Sequence, residues 1–177
     1  MSAHRNPPRH PQPWDRFLLQ ALVVLTLILV IGSLLYGRFR LGIDDQQARC
    51  LPPYRWYLID LGDRQPRVGD LVAFAATEAM SPHFRGGQTV IKRVVGVSGD
   101  RVTVDATGTA INGVPRPNSD LALATTLQQP IRALERANVE VPPAHLWVMG
   151  DTRDSFDSRY WGALPVEQVR GRAYALF

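Results

Sequence analysis

Of the 20 basic side chains in this 177-residue sequence only Lys92 is a lysine, and Cys50 is the one cysteine. A thiol and an amine can form a nucleophile and its base. Desolvation favours the neutral form of lysine, and a neutral amine accepts a proton, whereas a guanidinium stays charged. Lys92 stands in the apolar run VIKRVVGV, surroundings suited to that desolvation, and Cys50 stands in ARCLPPY, just before a proline-stiffened turn. The pair could work in two ways: neutral Lys92 takes the thiol proton during attack, or the two rest as thiolate and ammonium. Blander readings exist, since a lone cysteine is more often a small buried apolar residue and coding drift can make lysine scarce. Drift gives no reason for an amine surviving inside an apolar strand.

The elements that must hold these two groups read as strands. From about Leu41 the chain breaks into WYLID, DLVAFAA, TVIKRVVGV, RVTVD, TAINGVP, HLWVMG and RAYALF, short runs rich in β-branched and aromatic residues between Gly, Pro and Asp turns. Strand alternation sets Lys92 and Arg93 on opposite faces. Gly69-Asp70, Gly99-Asp100 and Asn112-Gly113 supply residues that tolerate positive φ. The last of these predicts a hairpin pairing Arg101–Asp105 with Thr109–Pro115. Residues 118–138 have little strand character and contain Pro130, so they read as a rim loop or short helix.

Ahead of the strands, Phe17–Tyr36 (FLLQALVVLTLILVIGSLLY) carries no charge and has the length of about 20 helical residues that crosses a bilayer core. A cleavable export signal competes with a retained anchor, because Arg5, Arg9 and Arg16 precede the run. The run is too long for a usual signal core, and no small-x-small pattern follows it, so a transmembrane helix over 17–36 is expected. Arginines flank both ends, Arg38, Arg40 and Arg49 lying beyond it, so charge alone does not orient the span. Residues 1–16 are polar and Pro-rich and read as disordered. The net charge of +4 comes from scattered arginines without aromatic interleaving, which argues against nucleic acid and fits a membrane lipid surface. His4, His10, His83 and His145 lack ligand spacing, so neither a metal nor another cofactor is expected.

Four separated stretches resemble the boxes of type I signal peptidases. Cys50-Leu51-Pro52 stands where that family has Ser-Met-Pro, and Val68–Phe74 resembles its Gly-Asp-aliphatic strand. Ile91-Lys92-Arg93-Val94-Val95-Gly96-Val97-Ser98-Gly99-Asp100 resembles the lysine-bearing strand and turn. Gly150–Gly162 (GDTRDSFDSRYWG) resembles the signature Gly-Asp-Asn-Arg…Ser-x-Asp-Ser-Arg-x-x-Gly. The resemblance implies a mainly β fold, a signal-peptidase-like coiled sheet over 37–177 behind one N-terminal transmembrane helix. It implies Cys50 as nucleophile with its backbone N–H as an oxyanion donor, Lys92 as general base, Ser155 orienting that lysine, and Asp157 with Arg159 as an ion pair bracing the site.

Two departures from the family matter. The nucleophile is a thiol, which ionises at roughly pH 8.5 when unperturbed and so needs a weaker base, yet sulfur is bulkier than the oxygen it replaces. Ala48 stands where many members have a hydroxyl that donates to the oxyanion, a loss of about 2.7–4 kcal/mol of transition-state stabilisation. Cys-Leu-Pro together with Ser-Phe-Asp-Ser-Arg-Tyr-Trp-Gly is most similar to the TraF-like branch tied to conjugative transfer. That branch implies cleavage of signal-bearing or pilin precursors, hydrolysis or end-to-end joining through one acyl-enzyme, and other conjugation-apparatus proteins as partners. The implied location is the bacterial cytoplasmic membrane, single-pass, with the catalytic body on the outer, periplasmic side. A catalytically inert component of a transfer apparatus that kept the fold is the alternative. A thiol oxidoreductase is disfavoured, because one cysteine lacks a resolving partner.

Overall fold

The computed structural model describes residues 13–44 and 49–177. The chain forms two compact units, an N-terminal one ending at Arg38 and a body over Phe39–Phe177. The first holds helix α1, Trp14–Arg38, which extends beyond the expected span at both ends. Asp15 in its first turn and Arg38 in its last complement the helix dipole. The Thr26 hydroxyl donates to Leu22 O at 2.8 Å, which satisfies it within an apolar stretch. None of the helix is buried by protein, and its 25 residues span about 37 Å, so α1 is a candidate membrane span.

The body is mainly β. Its larger sheet holds β1 (Phe39–Ile43), β2 (Trp56–Asp60), β3 (Leu71–Ala75), β4 (Thr89–Val97), β9 (His145–Met149), β10 (Leu164–Pro165) and β11 (Val169–Ala175). All pairs are antiparallel, in the order β1-β2-β11-β3-β4-β9-β10. The smaller sheet pairs β5 (Arg101–Val104) with β6 (Thr109–Ile111) and β8 (Arg136–Glu140), and β6 with β7 (Val114–Pro115).

β3 explains why the core forms here. Its run LVAFA is apolar throughout because both faces are covered. Val72 and Phe74 face a core with Val90, Val94, Val148 and Leu164, and Met80 and Phe84 from the β3–β4 connection close over it. Leu71 and Ala73 face the other way, toward Leu51, Tyr57, Ile59 and Ala173. The sheet curls strongly enough that a Cβ on Gly42 of β1 would lie 3.4 Å from Ile91 Cδ1 of β4, although three strands lie between them in the sheet. Lys92 pairs with Val72 and therefore shares its face, opposite Arg93.

Two expectations need correction. The expected pairing is present, with Val102–Val104 of β5 opposite Thr109–Ile111 of β6, but Asn112 and Gly113, both at positive φ, close the turn between β6 and β7 instead of joining β5 to β6. The β5–β6 connection is a loop in which the Asp105 carboxylate accepts from Thr107 N at 2.7 Å and from Gly108 N at 3.1 Å, an Asx-type turn that supplants the Asn-Gly signal. Within 118–138, Pro130 caps the short helix α2 (Ile131–Leu134), but Arg136–Asn138 belong to β8, because β5 offers them a strand edge. Of the segment read as disordered, residues 1–12 lie outside the described residues.

Phe74 is sealed from solvent and lies 6.1 Å from the Trp161 ring. Phe74→Ala is expected to destabilise the body by about 3–5 kcal/mol, read from urea unfolding of the detergent-solubilised chain.

Candidate active site

The site forms where the pairing of β4 with β9 stops. The last pair is Arg93 with Met149, so among the described residues Thr89–Lys92 of β4 have no strand partner on that side. The chain leaving β9 passes through Gly150, and this residue has to be glycine. A Cβ there would lie 2.6 Å from Ser155 Cβ and 2.8 Å from Cys50 O, and closer still to Ser155 Oγ. Cys50 and Ser155 are thus packed against the same backbone atoms.

Cys50 is held through its main chain: its carbonyl accepts from Asp151 N at 2.7 Å. Its thiol is nearly buried, with Sγ 4.0 Å from the carbonyl oxygen of Ile91, the residue before Lys92. Lys92 is 1% exposed, and its Nζ donates to Ser155 Oγ at 2.8 Å. Both residues line one cavity of about 180 Å³, whose walls include Leu51, Tyr57, Phe84 and Ile91. The Phe84 ring lies 6.0 Å from Lys92 Nζ and continues through Phe156 to Tyr160, an aromatic wall that keeps water from the amine.

Asp157 and Arg159 brace this arrangement from below. Both side chains have no exposure, and they join through Nε–Oδ1 and Nη2–Oδ2 bonds of 2.8 Å each. Asp157 also accepts from Gly150 N at 3.0 Å, while Arg159 Nη2 donates to Ser155 O at 2.9 Å and Nη1 to Asp120 O at 2.7 Å. Burial alone would lower the Arg159 pKa, and the Asp157 partner more than offsets it, so the net direction is upward. Burial, then the nearby Asp44, Cys50 and Asp151, push the Tyr57 phenol up to about 12.

All five residues singled out from the sequence, Cys50, Lys92, Ser155, Asp157 and Arg159, therefore meet around Gly150. Ala48 lies outside the described residues. Sequence reasoning overlooked Gly150 as a steric requirement, Phe84 as the wall over the amine, and the Arg93–Asp151 pair. That pair bonds through Nε at 2.9 Å and Nη2 at 2.8 Å, which steadies the peptide N–H on which the Cys50 carbonyl rests. Gly150 and Asp151 sat within the recognised box, so a signal existed for them. Phe84 had none.

A curled antiparallel sheet carrying a buried lysine, a serine bonded to it and a cysteine lining the same cavity as the lysine is the arrangement against which known families can be compared. Residues 14–177 match the family described as "Signal peptidase, peptidase S26", and the chain belongs to that family. It is 31% identical over 182 residues to a "Probable signal peptidase I-1" of Synechocystis sp., covering 94% of this chain and 85% of that protein. It is 30% identical over 173 residues to a "Probable conjugal transfer protein TraF" of Sinorhizobium fredii, covering 88% and 87%. Similarity to a "Probable signal peptidase I-2" of Synechocystis sp. is 34% over 116 residues, 64% of this chain and 49% of that protein. The chain thus spans about half the length of some curated relatives it matches.

Two outcomes follow from the site. Asp157→Ala leaves a buried guanidinium without its counter-ion and is expected to cost about 3–5 kcal/mol in urea unfolding. For Tyr57, the folded state holds the proton to about pH 12 while the unfolded chain releases it near the ordinary 10, so its contribution is full below pH 10 and is lost as pH rises toward 12. Unfolding midpoints measured between pH 9 and about 12 should fall less steeply in Tyr57→Phe than in the parent.

Proposed function

We propose that this chain is a membrane-anchored endopeptidase that cleaves signal-bearing or pilin-type precursors through an acyl-enzyme on Cys50, with Lys92 as general base. The observation that carries the reading is the 2.8 Å bond from a buried Lys92 Nζ to Ser155 Oγ, made by a lysine that lines the same cavity as the only cysteine.

The geometry supports a sequence of steps. An extended precursor pairs with the unpartnered edge of β4 at Thr89–Ile91, adding a strand to the sheet. The Cys50 sulfur attacks the scissile carbonyl carbon, and its proton passes to Lys92 Nζ. The Cys50 N–H, which has no bond to any described residue, is available to the oxyanion. Collapse of the tetrahedral species breaks the C–N bond, and Lys92 returns the proton to the departing amine. Water, deprotonated by the same amine, then attacks the thioester and regenerates the thiol. Ser155, accepting from Nζ, keeps the amine aimed while its proton count changes.

If an incoming amine attacks in place of water, the same thioester yields a new peptide bond, and end-to-end joining of a pilin becomes possible. Similarity to the Sinorhizobium conjugal transfer protein favours substrates and partners of a conjugation apparatus. The apolar helix α1 supports anchoring in a membrane, and the choice of the bacterial cytoplasmic membrane with the body on its outer face follows the family likeness. The exposed Leu41, Ile43, Tyr174, Leu176 and Phe177 of the body also suit contact with lipid.

The test uses the full chain in lipid vesicles with a precursor bearing an Ala-x-Ala site. Cys50→Ala is expected to lower kcat/KM at least about a thousandfold, and Lys92→Ala by about a hundred- to ten-thousandfold. Cleavage that survives both changes would remove the Cys50–Lys92 assignment, and failure of the unchanged chain to cleave the precursor would favour an inert component of the transfer apparatus.

A further inference from the structure

A second cavity, of about 250 Å³, borders Gly150 and Asp151 and shares no lining residue with the thiol cavity. The two meet at Cys50. Its thiol lines the first, and its carbonyl is bonded at 2.7 Å by Asp151 N, which lines the second. The floor of the second cavity is apolar, formed by the buried Val95 and Met149, and Arg116, Pro117 and Asn118 make its wall.

Arg116 is a cation without a partner. Its backbone is fixed, since its N–H donates to Thr109 O at 2.8 Å and its carbonyl accepts from Ser119 Oγ at 2.6 Å. Among the described residues, however, no carboxylate or carbonyl accepts from its guanidinium. The other arginines around the site, Arg93, Arg153 and Arg159, are each paired with an aspartate. Asp151 also lines the cavity, but both its oxygens are taken by Arg93. The half-buried Arg116, in a wall whose Pro117 and Asn118 are exposed, therefore sets a positive charge that no described carboxylate pairs above an apolar floor, where attraction for an anion exceeds that on open surface.

From this arrangement we infer that the Arg116 cavity is a subsite for an acidic side chain on the substrate segment that follows the scissile bond. The inference rests on the peptidase reading above. The acyl half of a bound peptide occupies the edge of β4, so the leaving half runs past the Cys50 carbonyl and over Gly150 and Asp151. There a glutamate would lay its methylenes on Val95 and Met149 and present its carboxylate to Arg116, with the Asn118 amide beside it.

The experiment compares synthetic peptides spanning an Ala-x-Ala site that differ only in Glu, Gln or Lys within the first three positions after the scissile bond. Binding to the full-length Cys50→Ala chain in detergent micelles is read by fluorescence anisotropy at low salt. The Glu peptide is expected to bind about three- to tenfold more tightly than the Gln peptide. Arg116→Gln should abolish that ratio, Arg116→Lys should keep most of it, and Arg116→Glu should turn the preference toward the Lys peptide. Equal affinity of the Glu and Gln peptides for the Cys50→Ala chain, or a ratio that Arg116→Gln leaves in place, overturns the subsite. If the active chain cleaves neither peptide while the binding ratio stands, the peptidase reading fails and Arg116 is left as a binding site for acidic peptides that follows no scissile bond, which overturns the subsite as stated.

Discussion

The bidentate bond between Asp157 and Arg159, with both side chains sealed from water, is what the rest of the site depends on. Taking two charges out of solvent costs several kcal/mol each, and such a pair is weak support for stability as such. Its effect lies in what else the two groups hold. The Arg159 guanidinium reaches Asp120 O, Arg153 O, Thr152 O and Ser155 O besides its aspartate, and Asp157 reaches back to Gly150 N. The pair thus ties down the loop that carries Ser155, through the cation, and the strand end that touches Cys50, through the carboxylate. A lysine could not replace the cation, since a single ammonium has neither the fork nor enough donors for these carbonyls.

Much of this was legible in the sequence, for identifiable reasons. β4 announced itself because a strand with both faces covered must be apolar almost throughout, and one charged residue on its inner face then stands out as Lys92. The loop after β9 was legible because its geometry requires several unusual residues in a fixed order. Gly150 is needed for closeness, Ser155 for the amine, Asp157 and Arg159 for the brace.

Other features were hidden by the same physics that makes them work. Phe84 comes from an irregular connection and meets Lys92 only through folding, so no period or spacing points to it. The Asn112-Gly113 turn was read correctly as a turn yet joined to the wrong strands, because positive φ specifies a hairpin without specifying its partner. Arg136–Asn138 became strand only because β5 had an edge to offer, a tertiary condition absent from local propensity.

The proposed role of a thiol as the nucleophile gains a physical meaning from how Cys50 is held. Its position is set by its own carbonyl, bonded to Asp151 N and pressed against Gly150, and the side chain takes no part in that attachment. The amine is aimed independently, by Ser155, and Ser155 in turn by Arg159. A change at Sγ therefore alters the reacting atom while the frame that presents it and the base beside it stay as they are. Under the proposed mechanism a thiol gives up its proton more readily than a hydroxyl, so less is asked of the lysine, and the wall formed by Phe84 and Phe156 keeps the amine in apolar surroundings.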